Sequence, residues 1–303
     1  MSAFHHVPVL LDEVLDALAP AAGGVLFDGT LGLGGHSSAW LAATTAAGEV
    51  GRVVGTDRDT EALVEARARL ESEYPGRVHF HHGSYEEVAV ARADAGVPAF
   101  DAALLDLGAS SLQLDRAERG FSFARPGPLD MRMDASAEVT AADIVNDWRP
   151  AELERIFREF GEEPGAARVA DAIAVERRRA PFRDTLRLAE TVARATGGRR
   201  GRLHPATRVF QALRIAVNDE LGRVERALPL VAAELAPGAR FGVLTFHRLE
   251  DRLAKRFFRD GERAGRFRVL PDRTPTRAEE RANPRSRSAR LRAGVVTAGG
   301  GAR

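Results

Sequence analysis

The stretch Asp28-Gly29-Thr30-Leu31-Gly32-Leu33-Gly34-Gly35-His36 gathers an acid, four glycines and a histidine where an apolar run, Val25-Leu26-Phe27, gives way to a helix-forming segment. Glycines at a strand-to-helix turn let the backbone approach an extended cofactor, because no Cβ stands in the way. Asp57 follows Gly32 by 25 positions and ends a second apolar run, Arg52-Val53-Val54-Gly55-Thr56-Asp57. A carboxylate there can accept both hydroxyls of a ribose. His36 stands at the start of the helical segment, where its ring or amide can meet a cofactor carboxylate beside the positive helix end; it serves equally as a cap or a packing group. Asp106 ends the run Ala102-Ala103-Leu104-Leu105 and can hold an amine of cofactor or substrate, or cap the helix that follows. Gln113 lies within reach of the same pocket. Tyr85, after Gly83-Ser84, can stack on a purine or pack in a core. These residue types point to a nucleoside-containing cofactor. The order Asp-Gly-x-x-Gly-x-Gly favours S-adenosylmethionine over NAD, since dehydrogenase turns usually place Gly directly after the strand. An NAD-dependent dehydrogenase stays open as the alternative.

The elements that must position these groups follow from periodicity. Strand-like runs at 24–28, 52–57, 77–82 and 100–107 alternate with helical patterns such as 61–70. That alternation predicts a parallel sheet with right-handed crossovers and a ligand beyond the carboxyl ends of the strands. Asp28, Asp57, Tyr85 and Asp106 all fall at that edge. The alternation stops after 113. Residues 114–213 contain no strand pattern; Pro126-Gly127-Pro128 breaks the chain, and helices are expected at 141–146, 151–160, 166–179 and 185–196. A long helix is expected over 206–235, ended by Pro237-Gly238. Strands return at 241–246, 267–270 and 291–296. The fold class is therefore α/β, a Rossmann-like sheet carrying an inserted all-helical domain. The expected domains are 1–113, the insert 114–213, and 214–303, the last with a basic, disordered tail that includes Gly299-Gly300-Gly301.

Composition narrows the classes. The absence of Cys excludes disulfides, Cys-zinc sites and thiol catalysis, and fits a reducing cytosol. No run approaches the roughly 18 apolar residues of a membrane span. The first residues, with Asp12, Glu13 and Asp16, lack an export pattern, so a cytoplasmic protein without membrane contact is expected. His79, His81 and His82 have no paired acids beside them, and no metal site is expected. The formal net charge of +1 conceals an acidic start and a basic back half, rich in Arg with Lys only at 255. Such a half attracts phosphates, though solvated helix faces are the plainer alternative. Residues 127–134 read as a lid or substrate loop, or as a salt-bridged connector. His204-Pro205 reads as a phosphate contact or an ordinary helix entry.

Together these blocks resemble the small-subunit ribosomal RNA methyltransferase H family, formerly MraW. The resemblance runs from His6-Val7-Pro8-Val9 to Asn283-Pro284-Arg285-Ser286-Arg287-Ser288, with specific blocks at 28–36, 57–59, 105–113, 119–134, 204–221 and 246–252. It implies a class I S-adenosylmethionine-dependent methyltransferase that methylates N4 of a cytidine, cytidine 1402, in the decoding region of 16S ribosomal RNA within the small ribosomal subunit. By the resemblance, cofactor contacts fall on Gly34, Gly35, His36, Asp57, Tyr85, Asp106 and Gln113, with Asp106 a further candidate for orienting the amine. The helical insert is expected to help grip RNA, with Arg177, Arg178, Arg179, Arg199, Arg200, Arg202 and Arg208 chosen for phosphate contacts. Two departures stand out: Thr245-Phe246-His247-Arg248 where the family reads Ser-Phe-His-Ser, and Leu112 in place of a proline before Gln113. A small-molecule methyltransferase, a binding module without turnover and a homodimer stay open.

Overall fold

The computed structural model describes residues 8–198 and 204–298. The chain divides into two compact units, one made of 1–108 with 221–303 and the other of 109–220.

The first unit is built on a seven-stranded sheet. Its strands are β1 (Val25–Asp28), β2 (Arg52–Asp57), β3 (Val78–His82), β4 (Phe100–Asp106), β5 (Leu235–Thr245), β6 (Phe267–Val269) and β7 (Arg290–Val296), in the spatial order β3-β2-β1-β4-β5-β7-β6. β1 to β5 run parallel, and β7 pairs antiparallel with both β5 and β6. The strands are apolar on both faces, as a parallel sheet covered on both sides requires. Leu26 joins one core and its neighbour Phe27 the other; Ala102 and Leu104 separate in the same way from Ala103 and Leu105. Helices α1 (Leu11–Leu18), α2 (Gly35–Ala46) and α3 (Thr60–Glu73) cover the first face with Leu18, Trp40, Leu41, Leu63 and Leu70. The second face takes Val88 of α4 (Val88–Asp94) together with Val224, Leu228, Ala254 and Phe258. This is the Rossmann-like α/β sheet expected from the strand spacing.

The second unit is helical: among its described residues the only β-structure is one isolated bridge, Pro128 to Asp184. It contains α5 (Ser111–Asp115), α6 (Ala141–Asp147), α7 (Pro150–Glu159), α8 (Ala166–Arg179), α9 (Thr185–Ala195) and α10 (Ala206–Asn218), packed on Ile144, Leu153, Ile156, Phe157, Ile173, Leu188 and Leu213. Residues 117–134 form a close-wound connector. A Cβ on Gly120 would lie 2.1 Å from the Pro128 carbonyl oxygen, and one on Gly127 1.8 Å from that of Ala117.

Two expectations need correction, and two helices are additional. The helix foreseen over 206–235 is two helices, α10 and α11 (Glu220–Ala233), because Asp219 adopts a left-handed backbone (φ 49°) that ends the first. Pro237-Gly238 does not end a helix but sits inside β5, where the register with β4 slips between Phe100 and Ala102. α12 (Arg248–Arg263) and α13 (Arg277–Ala282) were not foreseen. The glycine tail at 299–301 lies outside the described residues.

Candidate active site

The carboxyl ends of β1, β2 and β4 deliver Asp28, Asp57 and Asp106 to one edge of the sheet. The loop after β1 is stitched to both neighbouring strands: the Gly29 amide donates to the Leu104 carbonyl (2.9 Å) and the Leu31 amide to that of Thr56 (3.0 Å). Thr30 ties the loop to β4 a second time, its Oγ1 accepting from the Asp106 amide at 2.6 Å. The four glycines divide their labour. Added Cβ atoms on Gly29, Gly34 and Gly35 would meet Leu105, Leu70 and Pro8 at 2.4, 2.6 and 2.6 Å, so these three serve packing. A Cβ on Gly32, at φ +51°, would meet nothing closer than the Thr30 carbonyl oxygen at 3.8 Å, so this glycine leaves space beside the loop.

Each acid is held differently. Asp57 is half-buried and accepts the Gly32 amide on Oδ2 (2.7 Å) and the Asp59 amide on Oδ1 (2.9 Å). Burial raises its pKa, against the pull of those two amides. Asp28 is buried, with Oδ2 accepting the Ser37 hydroxyl at 2.6 Å and Oδ1 the Thr30 amide at 3.2 Å. Burial nevertheless lifts it to about 6. Asp106 has the least support. Its Oδ1 is buried without a hydrogen-bond partner among the described residues, and burial followed by the nearby charge of Glu250 lifts the carboxyl to about 7.

His36, the second residue of α2, contacts the Val9 carbonyl through Nε2 at 3.1 Å. A carbonyl only accepts, so Nε2 carries the proton and neutral His36 presents a bare Nδ1. That atom lies 3.6 Å from Asp106 Oδ2. Burial pushes the imidazole pKa down, which keeps it neutral although Asp28 pulls the other way. The first amide of α2 to reach a carbonyl is that of Ser38, on Gly34, and the amides ahead of it have no hydrogen-bond acceptor among the described residues. The edge thus presents helix-end amides at α2 and, at β4, a carboxyl oxygen without a partner among the described residues.

The model of the MraW methylase family matches residues 3–296. The chain belongs to the MraW methylase family. It is 47% identical to "Ribosomal RNA small subunit methyltransferase H" of Methylocella silvestris, over 96% of this chain and 88% of that protein. The protein of the same name from Nitratidesulfovibrio vulgaris is 48% identical, over 95% of this chain and 94% of its own length. That of Pelobacter propionicus is 47% identical, over 97% and 99%.

As an MraW methylase the chain takes S-adenosylmethionine as its methyl donor. The residues present fit it. A sulfonium and an ammonium are both cations, and the edge holds a buried carboxyl oxygen with no hydrogen-bond partner among the described residues, while the first amides of α2 would suit the donor's carboxylate.

Six of the seven expected contacts, Gly34, Gly35, His36, Asp57, Tyr85 and Asp106, lie at the carboxyl ends of β1 to β4 or just beyond them. Tyr85 opens the turn after β3 and packs against the second core face, 2.8 Å from a Cβ placed on Gly29. Gln113 belongs to the helical unit. Its Oε1 accepts from the Ser110 amide (3.1 Å) while Ser110 Oγ accepts from the Gln113 amide (3.2 Å), a capping box for α5.

Three partners escaped the sequence reading. Thr30 and Ser37 work through bonds to strand ends that periodicity does not show. Glu250 is buried and caps α12, its Oε2 accepting the amides of Phe246 (2.8 Å) and His247 (3.2 Å). A glutamate three residues after a helix entry was the available signal.

Several arginines chosen for phosphate are committed elsewhere. Arg177 donates to the Val145 and Trp148 carbonyls, Arg178 to that of Ala174 and Arg208 to that of Glu162, while Arg179 pairs with Glu176. Arg199, Arg200 and Arg202 lie outside the described residues. The stretch 127–134 is a salt-bridged connector, with Asp130 clamped by Arg132, and Asn218 holding the Met133 amide and the Met131 carbonyl. His204 accepts the Ala206 amide on Nδ1, the ordinary helix-entry role. No helix among the described residues is long and apolar enough to cross a membrane.

Proposed function

We propose that the protein transfers a methyl group from S-adenosylmethionine to N4 of a cytidine, cytidine 1402, in the decoding region of 16S ribosomal RNA within the small ribosomal subunit, in the cytoplasm. The names of its relatives support the RNA substrate. The observation that carries the chemistry is Oδ1 of Asp106 at the end of β4, buried and without a hydrogen-bond partner among the described residues.

Gly34, Gly35 and His36 seat the donor's carboxylate at the start of α2. Asp57 accepts its ribose hydroxyls, Tyr85 lies along its adenine, and Asp106 takes its cationic end. Gln113 keeps its place as a seventh contact on the family resemblance. Once bound, the donor supplies an electrophilic methyl group on sulfur.

The acceptor amine is a weak nucleophile because its lone pair delocalises into the pyrimidine ring. Holding it in line with the methyl group is then the main service of the site. A carboxylate that accepts one N–H raises the electron density on nitrogen and takes up the charge that develops. Asp106 has the proton affinity for that second role, since its carboxyl titrates close to neutrality. The base must leave its stack to reach the site.

Tritium transfer from labelled S-adenosylmethionine, with 16S RNA or small subunits from a strain lacking the gene as acceptor, tests the reading. Label in N4-methylcytidine is the expected result. Label in small metabolites alone, or none in RNA, contradicts it.

A further inference from the structure

The second basic region of the chain lies in the sheet unit, between β6 and β7. Residues 277–290 hold five arginines against two glutamates, and both glutamates sit on α13. Arg277 and Arg281 are one turn apart on α13, and Arg287 stands in the 3-10 turn Pro284–Ser288 that follows. All three are exposed and have no hydrogen-bond or ion-pair partner among the described residues. Two like charges four residues apart on a helix repel each other and destabilise it slightly. Neither forms an ion pair with a carboxylate among the described residues, Glu280 of the same helix included. Glu279 is turned away to accept the Leu10 amide at 2.8 Å, and Asp251 and Asp272 are taken by Arg292 and Arg290.

The segment is also firmly built. Thr276 Oγ1 accepts the Glu279 amide, Asn283 Oδ1 accepts that of Arg285, and fully buried Ser286 donates to the Asn283 carbonyl at 2.8 Å. Its root reaches the site. Leu10, which Glu279 holds, follows Val9, whose carbonyl fixes the His36 ring. One short strip, 8–10, therefore seats both the basic segment and a cofactor-contacting histidine.

We infer that Arg277, Arg281 and Arg287 form a grip for the phosphate backbone of the RNA substrate, presented by the catalytic unit itself. The inference rests on the RNA reading above and names where that RNA is held. Phosphates between Arg277 and Arg281 relieve their repulsion, and the pinned turn spares much of the entropy of ordering a loop on binding.

The test is a titration of a decoding-region 16S RNA fragment, read by fluorescence anisotropy at several salt concentrations. The wild type is compared with the triple variant R277A/R281A/R287A. The variant should bind at least about 10-fold more weakly at low salt, and the slope of log K against log salt should fall by about 2, as expected for losing up to three phosphate contacts. Its affinity for S-adenosylhomocysteine, measured by calorimetry, should match the wild type and so report an intact fold. R277K/R281K/R287K should restore the slope, because phosphate is held here by charge. R149A/R155A/R158A, removing equal charge from exposed positions on α7 and its entry, should leave the slope as it was. The grip is refuted if the alanine triple binds like the wild type, if the lysines restore nothing, or if the α7 variant loses as much. A wild type that binds the fragment with this slope yet methylates no cytidine refutes the functional reading and not the grip.

Discussion

Asp106 and Asp130 both stand in blocks that carry the family resemblance, one at the end of an apolar run and the other in a turn-rich stretch. In the structure they are opposites. Asp130, in the helical unit, accepts the Arg132 amide (2.9 Å) and Nε (2.8 Å) on Oδ1 and Nη2 (2.7 Å) on Oδ2. Burial alone would raise its pKa, but the bonds to Arg132 hold it below the usual carboxylate range. Asp106, in the sheet unit, has a buried oxygen with no partner among the described residues and a pKa pushed up to about 7. A carboxylate that has everything it needs serves the fold. One left in want, at the carboxyl edge of a parallel sheet, is the proposed contact for a ligand.

Substitution at the two sites should separate these roles. Asp106→Asn should lower methyl transfer by about 100-fold or more, the order of losing one preorganised electrostatic contact, without lowering Tm. Single-turnover kinetics with 16S RNA would measure it; an enzyme of wild-type rate would place Asp106 outside the chemistry. Asp130→Ala should do the converse. It removes charge-assisted bonds from a half-buried arginine, costing roughly 2 kcal/mol and roughly 4–8 °C in Tm, while calorimetry finds the affinity for S-adenosylmethionine unchanged. A loss of affinity with Tm intact would reverse the comparison.

Asp57→Ala should raise the dissociation constant for S-adenosylmethionine about 10-fold, the scale of one bond to a charged group. Wild-type affinity would take Asp57 out of the site.

The smallest effect is on pH. A carboxyl whose folded pKa lies above its unfolded value near 3.9 favours the folded state when protonated, so stability falls as pH rises from about 4 through about 7. Between pH 6 and pH 8 the unliganded wild type should lose about 1 kcal/mol more than Asp106→Asn. Urea melts at the two pH values measure the difference, and equal slopes would mean that Asp106 is already ionised.

Much of this was legible in the sequence because it is local. Apolar runs ending in acids gave β1, β2 and β4 and the edge they share, and the pattern 166–179 coincides with α8. What was hidden depends on distant partners. The packing roles of Gly34 and Gly35 exist only because Leu70 and Pro8 fold against them. The commitments of Arg177 and Arg208 to backbone carbonyls, and the charge of Glu250 beside Asp106, are tertiary facts that charge counting cannot supply. The break at Asp219 turns on one left-handed residue that helix periodicity does not register.

A crystal structure of the protein with S-adenosylhomocysteine bound tests the central claim most directly. Oδ1 of Asp106 should then accept a hydrogen bond from the ligand, with Asp57 on the ribose hydroxyls and the amides of α2 on the carboxylate. A ligand bound away from the ends of β1, β2 and β4, with that oxygen still unpartnered, would contradict the account.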